Sequence, residues 1–330
     1  MKEKNKIKVL LVYPDASHPQ SGGISRWMRT VLDYYDELKC DDSIELIHCK
    51  NEKHKGSLNK NIVNRLIRGV VNYIRFYKIL KKRILSEKYD IAHICTSASL
   101  GLIRDLIFVK LLNRHNISVV IHFHCGRIPE IIKAEKYECI LLRRVLSKVC
   151  HIIVIDMASY NVLKSQGYNN ITYLPNMLSP FVQQAIESSD KIQRDERLIL
   201  FAGHVVPTKG VYELVDACAQ LKDIRLRIMG PINEDIREKL MIHAKCDDKD
   251  WVEITGKQDN IAVIRSMLSC GVFVLPTYTE GFPNVIIESM ACACPIVTTP
   301  VGAIPEMLDI LNVGNECGIC VEPRSVEQLR

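Results

Sequence analysis

Short apolar runs recur along the chain, separated by longer stretches in which apolar positions return every three or four residues. In the N-terminal half the runs fall at Lys8–Tyr13, Ile44–His48, Ile91–Cys95, Val119–His124, Ile152–Ile155 and Thr172–Leu174. Helical patterns lie between them, as at Ile24–Leu38. Beyond Asn176 a polar stretch, Gln183 to Arg197, carries few apolar positions and reads as a linker. A second alternation follows, with runs at Leu198–Ala202, Arg225–Met229, Val252–Thr255, Val272–Leu275, Ile296–Thr298 and Gly318–Val321. Strand and amphipathic helix in alternation define an α/β protein with parallel sheets. The expected organisation is a Rossmann-like domain over residues 1–178, a linker over 179–197 and a second Rossmann-like domain over 198–330. A cleft is expected between the two.

Bulk properties narrow the class. The 330 residues suffice for two cores of ordinary size, and 47% hydrophobic with 25% charged residues is the balance of a globular protein. No apolar run reaches the 18 or so residues of a bilayer span. The basic start, MKEKNKIKVLLVYP, has an apolar stretch only from Val9 to Tyr13, too short for a signal peptide. A cytoplasmic location is therefore expected. The thirteen cysteines, odd in number and scattered through apolar segments, look like buried thiols of a reducing compartment. Cys292-x-Cys294 and Cys317-x-x-Cys320 invite a zinc-ribbon reading, but the first pair ends an apolar helix and Cys320 enters an apolar strand.

Charge is unevenly distributed. Residues 1–165 hold 29 Lys+Arg against 16 Asp+Glu, whereas residues 166–330 hold 15 against 22. Such asymmetry points to a charged partner for the basic half. Between Glu52 and Glu87 there is no acid, while ten cations run from Lys53 to Arg83. Apolar residues recur there at Ile62, Leu66, Val70, Ile74, Tyr77 and Ile84, close to a helical period. A basic amphipathic helix over 53–85 suits an anionic membrane surface, and equally a helix packed on its sheet with a solvated basic face. No aromatic platform accompanies the charge, which argues against nucleic acid.

Chemistry concentrates at the carboxyl ends of strands, where open α/β sheets bind ligands. Gly22-Gly23 opens the first helix, where free N–H groups suit an anion, although a Gly pair is also an ordinary loop. His122-Phe-His124 ends the fourth strand, with both histidines on one face and Gly126-Arg127 just beyond. One histidine in the cleft and one satisfied in the interior is the expectation, since no third ligand follows at metal-binding spacing. Gly203-His204…Lys209-Gly210 sets a lysine just before a helix. There it either neutralises a diphosphate or is solvated in a loop. Finally, Glu280-Gly-Phe-Pro-Asn-Val-Ile-Ile-Glu288 sets Pro283 as a first helical residue, with Asn284 and Glu288 four apart on one helix face. A carboxylate in that Gly turn can accept hydrogen bonds from sugar hydroxyls. A glutamate in an otherwise apolar helix needs a partner.

This ordered set resembles the retaining glycosyltransferases of family four, the glycogen-synthase-like or group 1 enzymes. The resemblance spans the whole chain: Gly22-Gly23, the strand ending at His124, Leu-Pro-Asn176, the Gly-x-Lys-Gly loop, E-x7-E and Thr-Pro-Val-Gly-Ala-Ile-Pro-Glu306. It implies the GT-B fold of two Rossmann-like domains, the first binding acceptor and the second nucleotide sugar. It implies a UDP- or GDP-linked sugar as donor, a glycan or lipid-linked acceptor, no cofactor and no metal. Carried over by position, Glu280 would bind donor-sugar hydroxyls, and the backbone of Gly281, Phe282, Pro283 and Asn284 the sugar and phosphate. Glu288 would bind the ribose, and Lys209 with the neighbouring His204 the diphosphate. Gly23 would approach the diphosphate or acceptor, and His124 would lie near the transferring sugar. Gly22, Arg127 and Asn176 would line the acceptor side or a second-domain loop.

Two departures stand out. The family has Gly-Arg where this chain has Gly203-His204, so half of the usual cationic clamp on the leaving diphosphate is missing or pH-dependent. The sequence also stops at Arg330, where a helix has barely begun, so C-terminal helices are expected to be missing. A non-catalytic GT-B partner subunit and a sugar-nucleotide epimerase are the alternatives. A nicotinamide enzyme would need a G-x-G-x-x-G fingerprint, which is absent. Asp248-Lys-Asp250 is spaced as a D-x-D motif but sits in a charged loop before a strand.

Overall fold

The computed structural model describes residues 6–14, 23–37, 43–51, 62–189, 192–244, 251–310, 312, 314 and 316–330; within these, the side chains of Pro14, Glu37, Asn51 and 62–68 are left out. Gly22, Asp248–Asp250 and the basic positions Lys53, Lys55 and Lys60 lie outside the described residues. The chain divides into two compact units, Met1–Pro175 and Asn176–Arg330.

In the first unit, β1 (Ile7–Pro14), β2 (Ile44–Asn51), β3 (Ile91–Thr96), β4 (Ser118–Phe123), β5 (His151–Val154) and β6 (Ile171–Tyr173) form one sheet in the order β2-β1-β3-β4-β5-β6. Every pairing is parallel. Among the described residues six helices join them: α1 (Gly23–Glu37), α2 (Ile62–Ser86), α3 (Gly101–Arg114), α4 (Ile128–Ala134), α5 (Tyr137–Leu146) and α6 (Met157–Ser165). The core gathers strand residues such as Leu10, Ala92, Ile121 and Ile152 with helix residues such as Phe76, Leu80, Phe108 and Leu142. Asp156 caps α6 by accepting from the Ser159 N–H at 2.7 Å.

The buried face of α2 differs from its sequence pattern. Phe76, Leu80 and Ile84 point into the core, while Val70 and Ile74 are more than half exposed. Of the described members of the predicted series, Ile84 is buried and Tyr77 packs on the core, whereas the contact stripe passes through Phe76 and Leu80 in place of Val70 and Ile74. Val70, Ile74, Lys78, Lys81, Lys82 and Leu85 therefore share an outward face. No described helix is long and apolar enough to cross a membrane.

In the second unit, β7 (Asp195–Ala202), β8 (Arg225–Met229), β9 (Val252–Gly256), β10 (Cys270–Leu275), β11 (Ile296–Thr298) and β12 (Ile319–Cys320) form a second all-parallel sheet. Its order is β12-β11-β10-β7-β8-β9. Its helices are α7 (Pro180–Glu187), α8 (Val211–Cys218), α9 (Glu234–His243), α10 (Asn260–Ser269), α11 (Asn284–Ala291), α12 (Ile304–Met307) and α13 (Val326–Leu329). Phe201, Ile228, Met267, Phe273 and Ile286 are fully buried at its centre.

The expected linker, residues 179–197, is corrected by the structure. It holds α7, which packs on α10 through the buried Val182, and the first residues of β7. Arg194, in the same stretch, donates to the carbonyls of Cys270, Cys292 and Ala293 at 3.0, 2.6 and 2.8 Å. Polar composition concealed this, because α7 buries one narrow stripe and Arg194 works through backbone acceptors. The unit boundary falls after Pro175 rather than at 178.

In each sheet the strand order reverses once, between β1 and β3 in the first unit and between β7 and β10 in the second. Loops that leave a doubly wound sheet on either side of such a reversal diverge to opposite faces and leave a crevice at the strands' carboxyl ends.

Candidate active site

The β7–β10 reversal brings together two of the loops singled out by sequence. After β7, residues 203–210 run through a short 3-10 turn (Pro207–Lys209) into α8. After β10, residues 276–283 run into α11. Gly210 joins them: it sits at φ +69°, and a Cβ there would lie 2.0 Å from the Pro276 carbonyl oxygen. Only glycine meets both demands. The Tyr278 N–H donates to the Thr208 carbonyl at 2.9 Å, and the Thr277 hydroxyl to the same oxygen at 3.3 Å. Tyr278 in turn donates its hydroxyl to Glu213 on α8 at 2.5 Å, with the Arg324 guanidinium 4.7 Å from its ring. Burial, then the Glu213 hydrogen bond, push the Tyr278 phenol up to about 12. It stays a neutral donor.

On this frame the half-buried Lys209 ammonium is paired with the Glu280 carboxylate. Their side chains are 21% and 16% exposed, so the pair is shielded but open to a ligand. His204 is exposed on the same loop. Pro283 is the N-cap of α11 rather than its first helical residue, and Asn284 begins the helix. The missing proline N–H costs nothing at either position, so sequence alone could not separate them. The first-turn N–H groups of α11 and α8 thus open beside Glu280 and Lys209. Glu288, one turn into α11, is half-buried.

Two further segments brace the β10 loop. Gly302, at φ +60°, lies so close that a Cβ would stand 2.3 Å from the Glu280 carbonyl oxygen. Its neighbour Ala303 donates to the Gly281 carbonyl at 2.9 Å. On the other side the Asn176 amide donates to the Asn284 side-chain oxygen at 2.8 Å and to the Phe282 carbonyl at 3.3 Å. Asn176, expected on the acceptor side or in a second-domain loop, belongs to the second unit and braces the loop after β10. Its place after the last strand of the first unit hid that tie.

Gly23, His124 and Arg127 lie in the first unit. Gly23 is the exposed first residue of α1. Arg127 donates to the Ser99 hydroxyl at 2.6 Å and approaches Glu138 at 3.6 Å. His124 follows β4 in a cluster that sequence reading missed. Trp27 of α1 stands edge-on to His122 and His124, with ring centroids 4.6 and 4.9 Å away. His93 of β3 reaches His122, Nε2 to Nδ1, at 3.4 Å. Burial holds all three imidazoles neutral, taking His93 down to about 4, His124 to about 3 and His122 well below the usual range. The expected division into one cleft and one satisfied histidine does not hold, since His122 and His124 both keep an unpartnered Nε2. An orphan buried polar atom costs about 1–3 kcal/mol. Strand alternation of His93 and Cys95 was the available signal.

The whole chain superposes on HepE of Anabaena, solved in complex with UDP, with a TM-score of 0.64 and 16% identity, covering 98% of this chain and 87% of that one. The two all-parallel sheets thus form the GT-B fold. By sequence, residues 196–330 match the family model described as "Glycosyl transferases group 1". The uncharacterised glycosyltransferase MJ1178 of Methanocaldococcus jannaschii is 25% identical over 307 residues, covering 92% of this chain and 81% of that protein. TuaC of Bacillus subtilis, named for teichuronic acid biosynthesis, is 30% identical over 138 residues, 41% of this chain and 31% of TuaC's own length. Residues 196–330 are thus similar to group 1 glycosyltransferases, and the chain has the GT-B fold.

Proposed function

We propose that this chain is a retaining, metal-independent glycosyltransferase that moves a hexose-type sugar from a UDP- or GDP-linked donor to an acceptor hydroxyl. The observation that carries the reading is the Lys209–Glu280 pair at the β7–β10 reversal, flanked by the N-termini of α8 and α11. A diphosphate entering there competes for Lys209 with more charge than one carboxylate offers. Glu280, released, accepts hydrogen bonds from donor-sugar hydroxyls, and Glu288 from those of the ribose. As the glycosidic bond breaks, charge grows on the diphosphate, where Lys209 and the two helix dipoles stabilise it. The acceptor attacks from the leaving-group face and passes its proton to a diphosphate oxygen. The family resemblance would give His124 a role toward the transferring sugar, and Gly23 and Arg127 one toward the acceptor.

The acceptor is a glycan or lipid-linked glycan of surface polysaccharide synthesis, in keeping with the name of TuaC. The outward face of α2, with Val70, Ile74 and Leu85 beside Lys78, Lys81 and Lys82, supports docking on an anionic membrane from the cytoplasmic side. Failure to co-sediment with anionic liposomes at low salt would remove that part.

His204 in place of the clamp arginine favours one second reading, a non-catalytic GT-B partner subunit. Nucleotide release from a panel of UDP-, GDP- and ADP-sugars, with and without acceptor lipids and glycans, separates the possibilities. Acceptor-dependent release with retention at the anomeric carbon supports transfer. Donor consumption without acceptor points to an epimerase. Donor binding without turnover points to the partner subunit.

A further inference from the structure

The histidine cluster of the first unit has features that packing alone does not require. His93 and Cys95 alternate on β3, and His122 stands directly opposite Cys95 in the β3–β4 register, so all three share one face of the sheet. One ligand atom from each, two imidazole nitrogens and the thiol sulfur, lie within 4.8 Å of one another. The His93 to His122 nitrogen distance, 3.4 Å, is long for a hydrogen bond. It matches the edge of a tetrahedron around zinc, about 3.3–3.6 Å from Zn–N and Zn–S bonds of about 2.0–2.3 Å.

The surroundings fit as well. His122 and Cys95 are buried, and the His122 Nδ1 faces His93. His93 is partly exposed. Trp27 walls one side. Imidazole nitrogen and thiolate sulfur are ligands that both Zn2+ and Cu+ take.

We propose that His93, Cys95 and His122 form a binding site for a thiophilic d10 cation, Zn2+ or Cu+, that staples β3 to β4 beneath His124. Three protein ligands leave a fourth tetrahedral position. With one thiolate and two neutral imidazoles, Cu+ leaves the site uncharged and Zn2+ leaves it at +1, so the two ions differ in the charge they bury. The site lies outside the Lys209–Glu280 cluster and does not depend on which donor that cluster takes.

Cobalt titration of the reduced, metal-stripped chain tests the site, because a thiolate-to-cobalt charge-transfer band reports sulfur ligation. One equivalent is expected to saturate the band. Cys95→Ser is expected to abolish it, and His93→Gln to weaken binding at least tenfold while leaving the circular dichroism unchanged. Competition by Zn2+ and by Cu+ under anaerobic conditions then identifies the preferred ion. Should Cys95→Ser fail to fold, His93→Gln and His122→Gln carry the same comparison. Absence of a one-to-one band, or a band unchanged in Cys95→Ser and His93→Gln, would overturn the proposal. The histidines would then be a neutral packed cluster, and any bound metal would sit on other thiols.

Discussion

Gly302→Ala perturbs the candidate site without removing any of its side chains. Gly302 lies at φ +60°, and an added Cβ would stand 2.3 Å from the Glu280 carbonyl oxygen and 2.8 Å from that of Gly281. Ordinary contact begins at 3.4 Å, so the Glu280 backbone must retreat by the difference, about 1.1 Å. An alanine in left-handed backbone costs about 1–2 kcal/mol, and overpacking adds about 1–3 kcal/mol. For a unit of this size that lowers Tm by about 5–15 °C. A displacement of about 1 Å at reacting groups costs on the order of 100-fold in rate. Gly256→Ala is the matched control, since φ there is +68° and the nearest atom to an added Cβ is the Arg237 guanidinium at 3.9 Å. It should pay the conformational cost alone and transfer at the wild-type rate. Thermal melts and nucleotide release on both variants decide the matter. If Gly302→Ala melts with Gly256→Ala and turns over normally, the close brace on Glu280 does not exist in solution.

Tyr278→Phe should cost about 1.5–3 kcal/mol in a melt, since it strips the hydroxyl donor from Glu213. It should also weaken donor binding, and unchanged stability would deny the Tyr278–Glu213 bond. Burial raises the Asp156 carboxyl above its ordinary value. Its contribution is therefore full below the unfolded pKa and is lost as pH rises through the folded one. Asp156→Asn, which keeps the cap acceptor without the charge, should match or exceed wild-type stability at pH 7, with the gain vanishing toward pH 3. Asp156→Ala should lose about 1 kcal/mol of capping. An Asn variant as weak as the Ala variant at pH 7 would reverse the assigned sign.

Strand positions were most legible where a buried parallel strand is a continuous apolar run bounded by polar loops, as at Leu198–Ala202 and Val272–Leu275. Helix α7 was not, because eight residues that bury only Val182 look like linker composition. The candidate site was legible where one loop carried its own signal, as in Glu280–Glu288 and Lys209-Gly210, and the structure pairs the side chains of Lys209 and Glu280. It was illegible where function depends on what faces a residue across the fold. Asn176 touches residues more than a hundred positions away, and His93 meets His122 only through the β3–β4 register. A period also cannot say which of two overlapping stripes wins the sheet, hence the misplaced face of α2.

The central claim is that Glu280 and Glu288 grip different ends of one nucleotide sugar. Calorimetric titration of Glu280→Ala and Glu288→Ala with UDP, GDP and their sugar conjugates addresses it directly. For Glu280→Ala we expect free-nucleotide affinity near wild type and loss of discrimination among sugars. For Glu288→Ala we expect free-nucleotide affinity to fall by tenfold or more while the ranking of sugars persists. Equal losses of free-nucleotide affinity in both variants, or no binding of any nucleotide by the wild-type chain, would contradict it.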